Sequence, residues 1–150
     1  MLKISHEKSA FISLICTWIV IFLALAVAVF LPKLVETYTT QGVFKTNDYI
    51  QIVVWMYLLY IPAAIVLFSL IRLLGNIRKE EIFVKKNIPL FRALSWGCFL
   101  GALLLLGLAQ YNDFFTLNAV VVAFIGLILR VVKNVFEEAI ILKTENDYTI

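Results

Sequence analysis

Residues 50–71 read IQIVVWMYLLYIPAAIVLFSLI, a run of 22 positions that contains no charged side chain. A bilayer core about 30 Å thick requires roughly 20 apolar residues of helix, so this stretch predicts a membrane-spanning helix. Pro62 lies in its middle, where the missing backbone N–H removes one helical hydrogen bond and predicts a kink. Arg72 follows directly and ends the span.

Three further apolar runs surround this one and predict an all-α integral membrane four-helix bundle, a single domain over residues 1–150. The third run begins near Asn87, a candidate N-cap, with Pro89 in the first turn. The predicted spans are residues 10–31, 50–71, 88–109 and 114–132. A loop at 72–87 joins the second span to the third, and a tail at 133–150 follows the fourth.

The composition excludes several classes of protein. Hydrophobic residues make up 63% of the chain and charged residues 15%, whereas soluble domains average about 45–50% and about 25%. A soluble enzyme, a disordered chain and a secreted disulfide scaffold are therefore excluded. One His, two Cys and no Gly-rich loop provide no recognisable catalytic residue, cofactor site or metal site. We therefore expect a protein that is not an enzyme and has no cofactor.

The distribution of Lys and Arg predicts the orientation in the membrane. The N-terminal segment, the 72–92 segment and the tail carry 11 of the 13 basic residues, against Lys33 and Lys45 on the other side. The positive-inside rule places both termini and the loop in the cytoplasm, which predicts a multi-pass protein of the cell membrane. The net charge of +3 then reflects topology, and we expect no direct binding of nucleic acid.

Small residues on the third span predict close helix packing. Ala93, Gly97 and Gly101 recur every four residues and form one smooth face, which lets a second helix approach closely. We interpret this face as packing within the bundle, with a homo-oligomer contact as the alternative. Apart from Arg92 at the start of the third span and Arg130 at the end of the fourth, no Asp, Glu, Lys, Arg or His lies within the spans, so proton-coupled transport is not expected.

Two segments on the predicted cytoplasmic side carry the candidate binding residues. In the 72–92 segment, basic side chains are mixed with acidic and apolar ones, which is typical either of a solvated loop beside anionic headgroups or of a docking surface. Beyond Arg130 the helical pattern continues and predicts an amphipathic extension of two or three turns. This extension packs on the loop, lies on the membrane surface or receives a partner. Beyond this helical extension the chain is expected to be extended and to end in a polar-then-apolar strip.

The C-terminal residues 142–150, LKTENDYTI, resemble the ending of a small bacterial four-span membrane-protein family of unknown function. That family typically ends in Glu-Asn-Asp-Leu-Thr-Ile, and Tyr148 stands where Leu is usual. Residues 82–87, IFVKKN, followed by LFR at 90–92, are similar to the family's central loop entering its third span. Members are often encoded beside a small helix-turn-helix regulator of the Cro/CI type.

The resemblance implies a membrane protein that binds such a DNA-binding regulator through the 72–92 segment and the tail. An extended tail suits capture by strand addition, whereas a frayed, solvated terminus is the alternative. Two other functions stay open, namely membrane stress protection or peptide immunity through the bundle, and a transporter subunit. The candidate partner-binding residues are Arg78, Lys79, Lys85, Lys86, Glu145, Asn146, Asp147, Tyr148, Thr149 and Ile150.

Overall fold

A computed structural model describes residues 2–45, 49–79 and 81–148, and these ranges contain five α-helices, one short 3-10 turn and no strand. The elements are α1 (Leu2–Thr40), α2 (Tyr49–Leu58), α3 (Tyr60–Arg78), the 3-10 turn Lys85–Asn87, α4 (Ile88–Leu108) and α5 (Phe114–Tyr148). Because α2 and α3 form one crossing, the helices provide four segments long and apolar enough to span a membrane, Phe11–Thr40, Tyr49–Arg78, Lys85–Leu108 and Phe114–Asn146. The predicted all-α four-span fold is confirmed.

The first helix continues beyond the predicted end of its span, through Pro32 to Thr40. Pro32 has no N–H, so the carbonyl of Ala28, four residues earlier, lacks its helical donor. The hydroxyl of Tyr57 in α2 donates to that carbonyl over 2.9 Å. One turn away, the hydroxyl of Tyr60 donates to the carbonyl of Ala24 over 3.0 Å. These two bonds join α1 to the second crossing and supply a donor that lipid does not offer.

Gly42 ends the extension of α1 in the left-handed conformation, with φ of 72°. The amide of Gly42 donates to the carbonyl of Thr39 and the amide of Val43 to that of Tyr38. This pair of bonds is a Schellman motif, which satisfies the last carbonyls of the helix. The chain then turns back toward the second crossing.

The second crossing is interrupted at Leu59, between α2 and α3. Pro62 follows three residues later, and its missing N–H leaves the carbonyl of Leu58 without a helical donor. The interruption predicted from Pro62 is therefore present, about one turn before the proline itself. Pro62 is buried and lies beside α4, where its ring atoms would be in ordinary contact with a Cβ added at Gly101.

The most extensive packing joins α4 to α5, followed by α3 with α4 and α1 with α3. Ser95 of α4 is buried and its hydroxyl donates to the carbonyl of Gly126 in α5 over 2.9 Å. At Gly97, an added Cβ would lie 2.7 Å from Cγ2 of Val66 in α3. At Gly101 the nearest atoms would be 3.8–3.9 Å away. Ala93, the third residue of the predicted face, is half-buried.

A buried apolar cluster closes the end of the bundle at which α4 turns into α5. Two hydrogen bonds hold the segment after α1 against the turn between α4 and α5. The amide of Lys45 donates to the carbonyl of Tyr111 over 2.8 Å, and the side-chain amide of Asn112 donates to the carbonyl of Val43 over 2.9 Å. The cluster consists of Leu31, Val35, Phe44, Ile52, Leu108 and Tyr111.

The last helix is longer than predicted. α5 runs without interruption for 35 residues, about 52 Å at 1.5 Å per residue, which exceeds a bilayer core of about 30 Å. The expectation of an extended chain after the helical extension was wrong for the described residues, because α5 continues to Tyr148. No Gly or Pro follows Gly126 in the sequence, so nothing in the backbone chemistry stops the helix.

We expect Tyr57→Phe to lower the free energy of unfolding by about 0.5–2 kcal/mol, because the carbonyl of Ala28 loses its donor in an apolar environment. Tyr60→Phe should cost less, since the carbonyl of Ala24 retains its own helical donor. The decisive comparison uses the Pro32→Ala background, in which the new backbone N–H at position 32 donates to the carbonyl of Ala28. Unfolding in mixed detergent micelles measures wild type, Tyr57→Phe, Tyr60→Phe, Pro32→Ala and Pro32→Ala/Tyr57→Phe. An equal cost of Tyr57→Phe in both backgrounds would contradict this role.

Gly97→Ala and Gly101→Ala are expected to have opposite effects. Both replace a helical glycine and gain about 0.5–1 kcal/mol from helix propensity. Only the methyl group added at position 97 would overlap the stiff Val66 side chain, and such a strain typically costs about 1–3 kcal/mol. Gly101→Ala should therefore be neutral or stabilising and Gly97→Ala destabilising in the same unfolding assay. In the Val66→Ala background the overlap is absent. The double variant Gly97→Ala/Val66→Ala should therefore be no less stable than Val66→Ala alone.

Candidate partner-binding surface

The segment between α3 and α4 is folded around one buried side chain, Asn87, which is 1% exposed. Its amide nitrogen donates to the carbonyl oxygens of Glu81 and Ile82 over 2.7 and 2.8 Å. Its side-chain oxygen accepts a bond from the amide nitrogen of Asn76, at 2.7 Å. All of these partners lie in α3 or the connecting segment, so Asn87 holds the loop in one conformation.

Asn87 does not cap α4 with its side chain, although it stands at the N-cap position. The predicted N-cap position is therefore confirmed, but the side chain makes no capping hydrogen bond. Its side-chain oxygen, which would accept such a bond, already accepts from Asn76, and its backbone has helical rather than extended dihedrals. The tertiary network has replaced the local interaction that the sequence favours.

An aromatic stack joins this loop to the extension of α5. The ring of Phe136 in α5 lies 5.3 Å from the ring of Phe83 in the loop and 4.8 Å from that of Phe91 in α4, between centroids. Such distances are in the range of favourable aromatic pairs. Of the three positions left open for the extension, packing on the loop is the one observed. We call the loop 79–87 with α5 beyond Val132 the basic end.

The basic side chains predicted to bind a partner lie exposed at this end. Arg78 closes α3, with its guanidinium 5.3 Å from the ring centroid of Phe11 in α1. Lys79 follows it, and Lys85 and Lys86 belong to the 3-10 turn. Lys86 pairs with Glu81, and its hydrogen bond and charge hold the pKa of that carboxyl below its usual value. The loop thus presents cations on a fixed backbone.

The predicted tail residues lie further along α5. Glu145 and Asn146 are exposed, nine or more residues after Phe136 and about 14 Å from it along the helix axis. The backbone of Asp147 and Tyr148 completes α5, and Thr149 and Ile150 lie outside the described residues. The structure therefore brings the loop against the base of the extension rather than against its end.

This surface combines exposed cations with an exposed aromatic ring. Lys85 and Lys86 follow Phe83 closely in the sequence, and Phe83 is 46% exposed. In the parts of the chain that the structure describes, His, Cys, Asp and Glu form no group of three that could hold a metal ion. The apolar side chains beneath the surface are Leu73, Phe91 and Leu94, with Val66, Leu70, Ile77, Leu90, Leu129, Val132 and Phe136 packed against them.

Sequence reasoning missed the residues that build this surface. Asn76 was not singled out and Asn87 was interpreted only as a candidate N-cap, because their pairing depends on the return of the chain after α3. Phe136 was assigned to the apolar face of the extension without a partner. The available signal was composition, since Phe83 and Phe91 are large aromatic residues in an otherwise basic segment, and such rings usually find a packed neighbour.

Comparison with known families and structures gives one match. The family described as "Protein of unknown function (DUF2975)" matches residues 34–150. This match confirms the resemblance to a family of unknown function drawn from the sequence. Neither a curated protein sequence nor a solved structure matches the chain.

We expect Asn87→Ala to open the loop, because the carbonyls of Glu81 and Ile82 and the amide of Asn76 lose their partner together. The free energy of unfolding should fall by about 1–3 kcal/mol. Hydrogen exchange, measured by mass spectrometry, should become faster at the amides of Glu81 and Asn87, which donate to the carbonyls of Asn76 and Val84. Lys86→Gln, which removes only an exposed ion pair, serves as the control and should leave the exchange of these amides slow. Unchanged exchange in Asn87→Ala would contradict the organising role of this side chain.

Proposed function

The chain belongs to the DUF2975 family, whose function is unknown, and we propose that it is a non-enzymatic multi-pass membrane protein that binds a protein partner at its basic end. The predicted orientation puts this end in the cytoplasm. A small helix-turn-helix transcription regulator is the partner that the sequence resemblance implies. Holding it at the membrane keeps it from DNA, and a change in bundle packing releases it.

The observation that carries the proposal is the stack of Phe83 on Phe136. A solvated loop has no fixed shape and loses conformational entropy when it binds. Here the loop is already ordered by Asn87 and fixed against α5, so a partner meets a preformed surface. Preorganisation of this kind lowers the cost of association.

The outer face of the α5 extension adds apolar area to this surface. Val135 is 61% exposed and Leu142 is 58% exposed, and their spacing of seven residues places them on one side of the helix. Glu138 lies between them on the same side. An amphipathic helix presented beside an ordered basic loop suits a partner with an apolar groove and acidic margins.

The test is a pull-down in mild detergent from native cells, with mass spectrometry of the proteins recovered. A double charge reversal, Lys79→Glu/Lys85→Glu, and a chain ending at Lys143 are compared with the full chain. Both should lose a small DNA-binding protein at least tenfold, because one removes the loop cations and the other the last turn of α5. Lys33→Glu, at the opposite end of α1's apolar run, is the matched control and should retain it.

Equal recovery of that protein by all four chains, or recovery of none, would overturn the proposal. Phe83→Ala distinguishes a mixed apolar and ionic contact from a purely ionic one, because it removes the aromatic contact without changing the charge. A loss with Phe83→Ala equal to that with the double reversal supports a mixed apolar and ionic contact. The amount of each variant in the membrane fraction is measured in parallel, so that poor insertion is not read as lost binding.

A further inference from the structure

A small pocket opens between α4 and α5, where both helices leave their apolar segments. Its volume is about 70 Å³, several times the roughly 10–15 Å³ that a cavity needs to hold one water. The pocket is large enough for a single compact polar group. Its lining residues are Arg92, Ser95, Trp96, Arg130, Lys133 and Asn134.

The sequence spacing explains why these residues meet. Arg92, Ser95 and Trp96 follow one another at steps of three and one along α4, and Arg130, Lys133 and Asn134 repeat the same steps along α5. Residues at i, i+3 and i+4 share one helix face. Because the two helices are antiparallel and packed together, the two triplets face each other across the pocket.

The charges around the pocket do not balance. Lys133 pairs with Glu137 one turn further along α5. The guanidinium of Arg130 lies 5.8 Å from the ring centroid of Trp96, and Arg92 forms no ion pair with any residue that the structure describes. Three cations and one carboxylate leave a net charge of +2. The Ser95 hydroxyl already donates to Gly126, so the available donors at the pocket are those of the arginines, the lysine and the Asn134 amide.

We propose that this pocket binds a phosphate group, with Arg92 and Arg130 as its principal ligands. A guanidinium presents two parallel N–H donors that match phosphate oxygens, and its charge is permanent. A bound anion offsets the +2 charge that the two helices otherwise hold face to face. Neither residue belongs to the surface assigned to the protein partner.

The position of the pocket gives two sources for that phosphate. Apolar residues follow Arg92 and precede Arg130, and Trp96 is 59% exposed, so the pocket lies at the border of the apolar segments, the level of lipid headgroups. Basic pockets between membrane helices bind anionic headgroups. The second source is free inorganic phosphate, which enters from water. In both, the same two arginines hold the same oxygens.

Native mass spectrometry of the full chain in detergent tests the pocket, with phosphatidylglycerol, phosphatidylcholine and inorganic phosphate each added alone. The double variant Arg92→Gln/Arg130→Gln is compared with wild type. Arg72→Gln is the matched control, since Arg72 is also basic and close to an aromatic ring, 4.3 Å from the centroid of Phe68, but does not line the pocket. Thermal unfolding of each protein shows whether the variants fold.

Wild type and Arg72→Gln should retain phosphatidylglycerol at least tenfold more than the double variant, and more than phosphatidylcholine. This result assigns the phosphate to a lipid. Retention of inorganic phosphate with the same dependence on the arginines, without retention of the lipid, assigns it to a soluble anion. Equal retention by wild type and a folded double variant, or retention of none of the three ligands by wild type, overturns the proposal. Arg92→Lys/Arg130→Lys keeps the charge and should bind phosphate more weakly than wild type, because Lys offers no paired donors. If the double Gln variant does not fold, the double Lys variant provides the test.

Discussion

The structure depends on one constraint, that a backbone carbonyl in lipid must find its donor within the protein. Pro32 removes the donor of Ala28 in the middle of a long apolar helix, and Tyr57 replaces it from the neighbouring crossing. The carbonyl that Pro32 leaves without a donor is thus satisfied by a tertiary hydrogen bond, which fixes the register of α1 against α2. Tyr57 and Tyr60 of the second crossing are three residues apart and share one face. Their ring centroids are 6.1 Å apart, and both hydroxyls reach α1.

At the basic end the same requirement is met by a side chain. Asn87 supplies two donors and one acceptor to a connecting segment that has no regular hydrogen bonding. Such fully satisfied buried polar networks specify one conformation, because any alternative leaves polar groups without partners. The loop therefore behaves as part of the folded bundle, and the cations that it carries have fixed positions.

The sequence was sufficient for the features that depend on composition along a single segment. Uncharged runs located the four crossings, and the absence of Gly and Pro after Gly126 is consistent with a long α5. It was insufficient where two distant segments meet. The partner of Ala28 is 29 residues away and the partner of Phe83 is in another helix, so neither follows from local spacing. Arg92 and Arg130 were read as topology signals, since their meeting across α4 and α5 requires the relative register of the two helices.

The uninterrupted length of α5 has a mechanical consequence. Its first turn is in contact with the segment after α1, where the rings of Phe44 and Phe115 are parallel and 6.5 Å apart. Phe136 lies 21 residues later, about 31 Å along the same rigid axis. A tilt of about 5° around Phe115 therefore displaces Phe136 by about 3 Å, enough to separate its ring from Phe83. A single stiff helix thus links the geometry of one membrane face to the shape of the other.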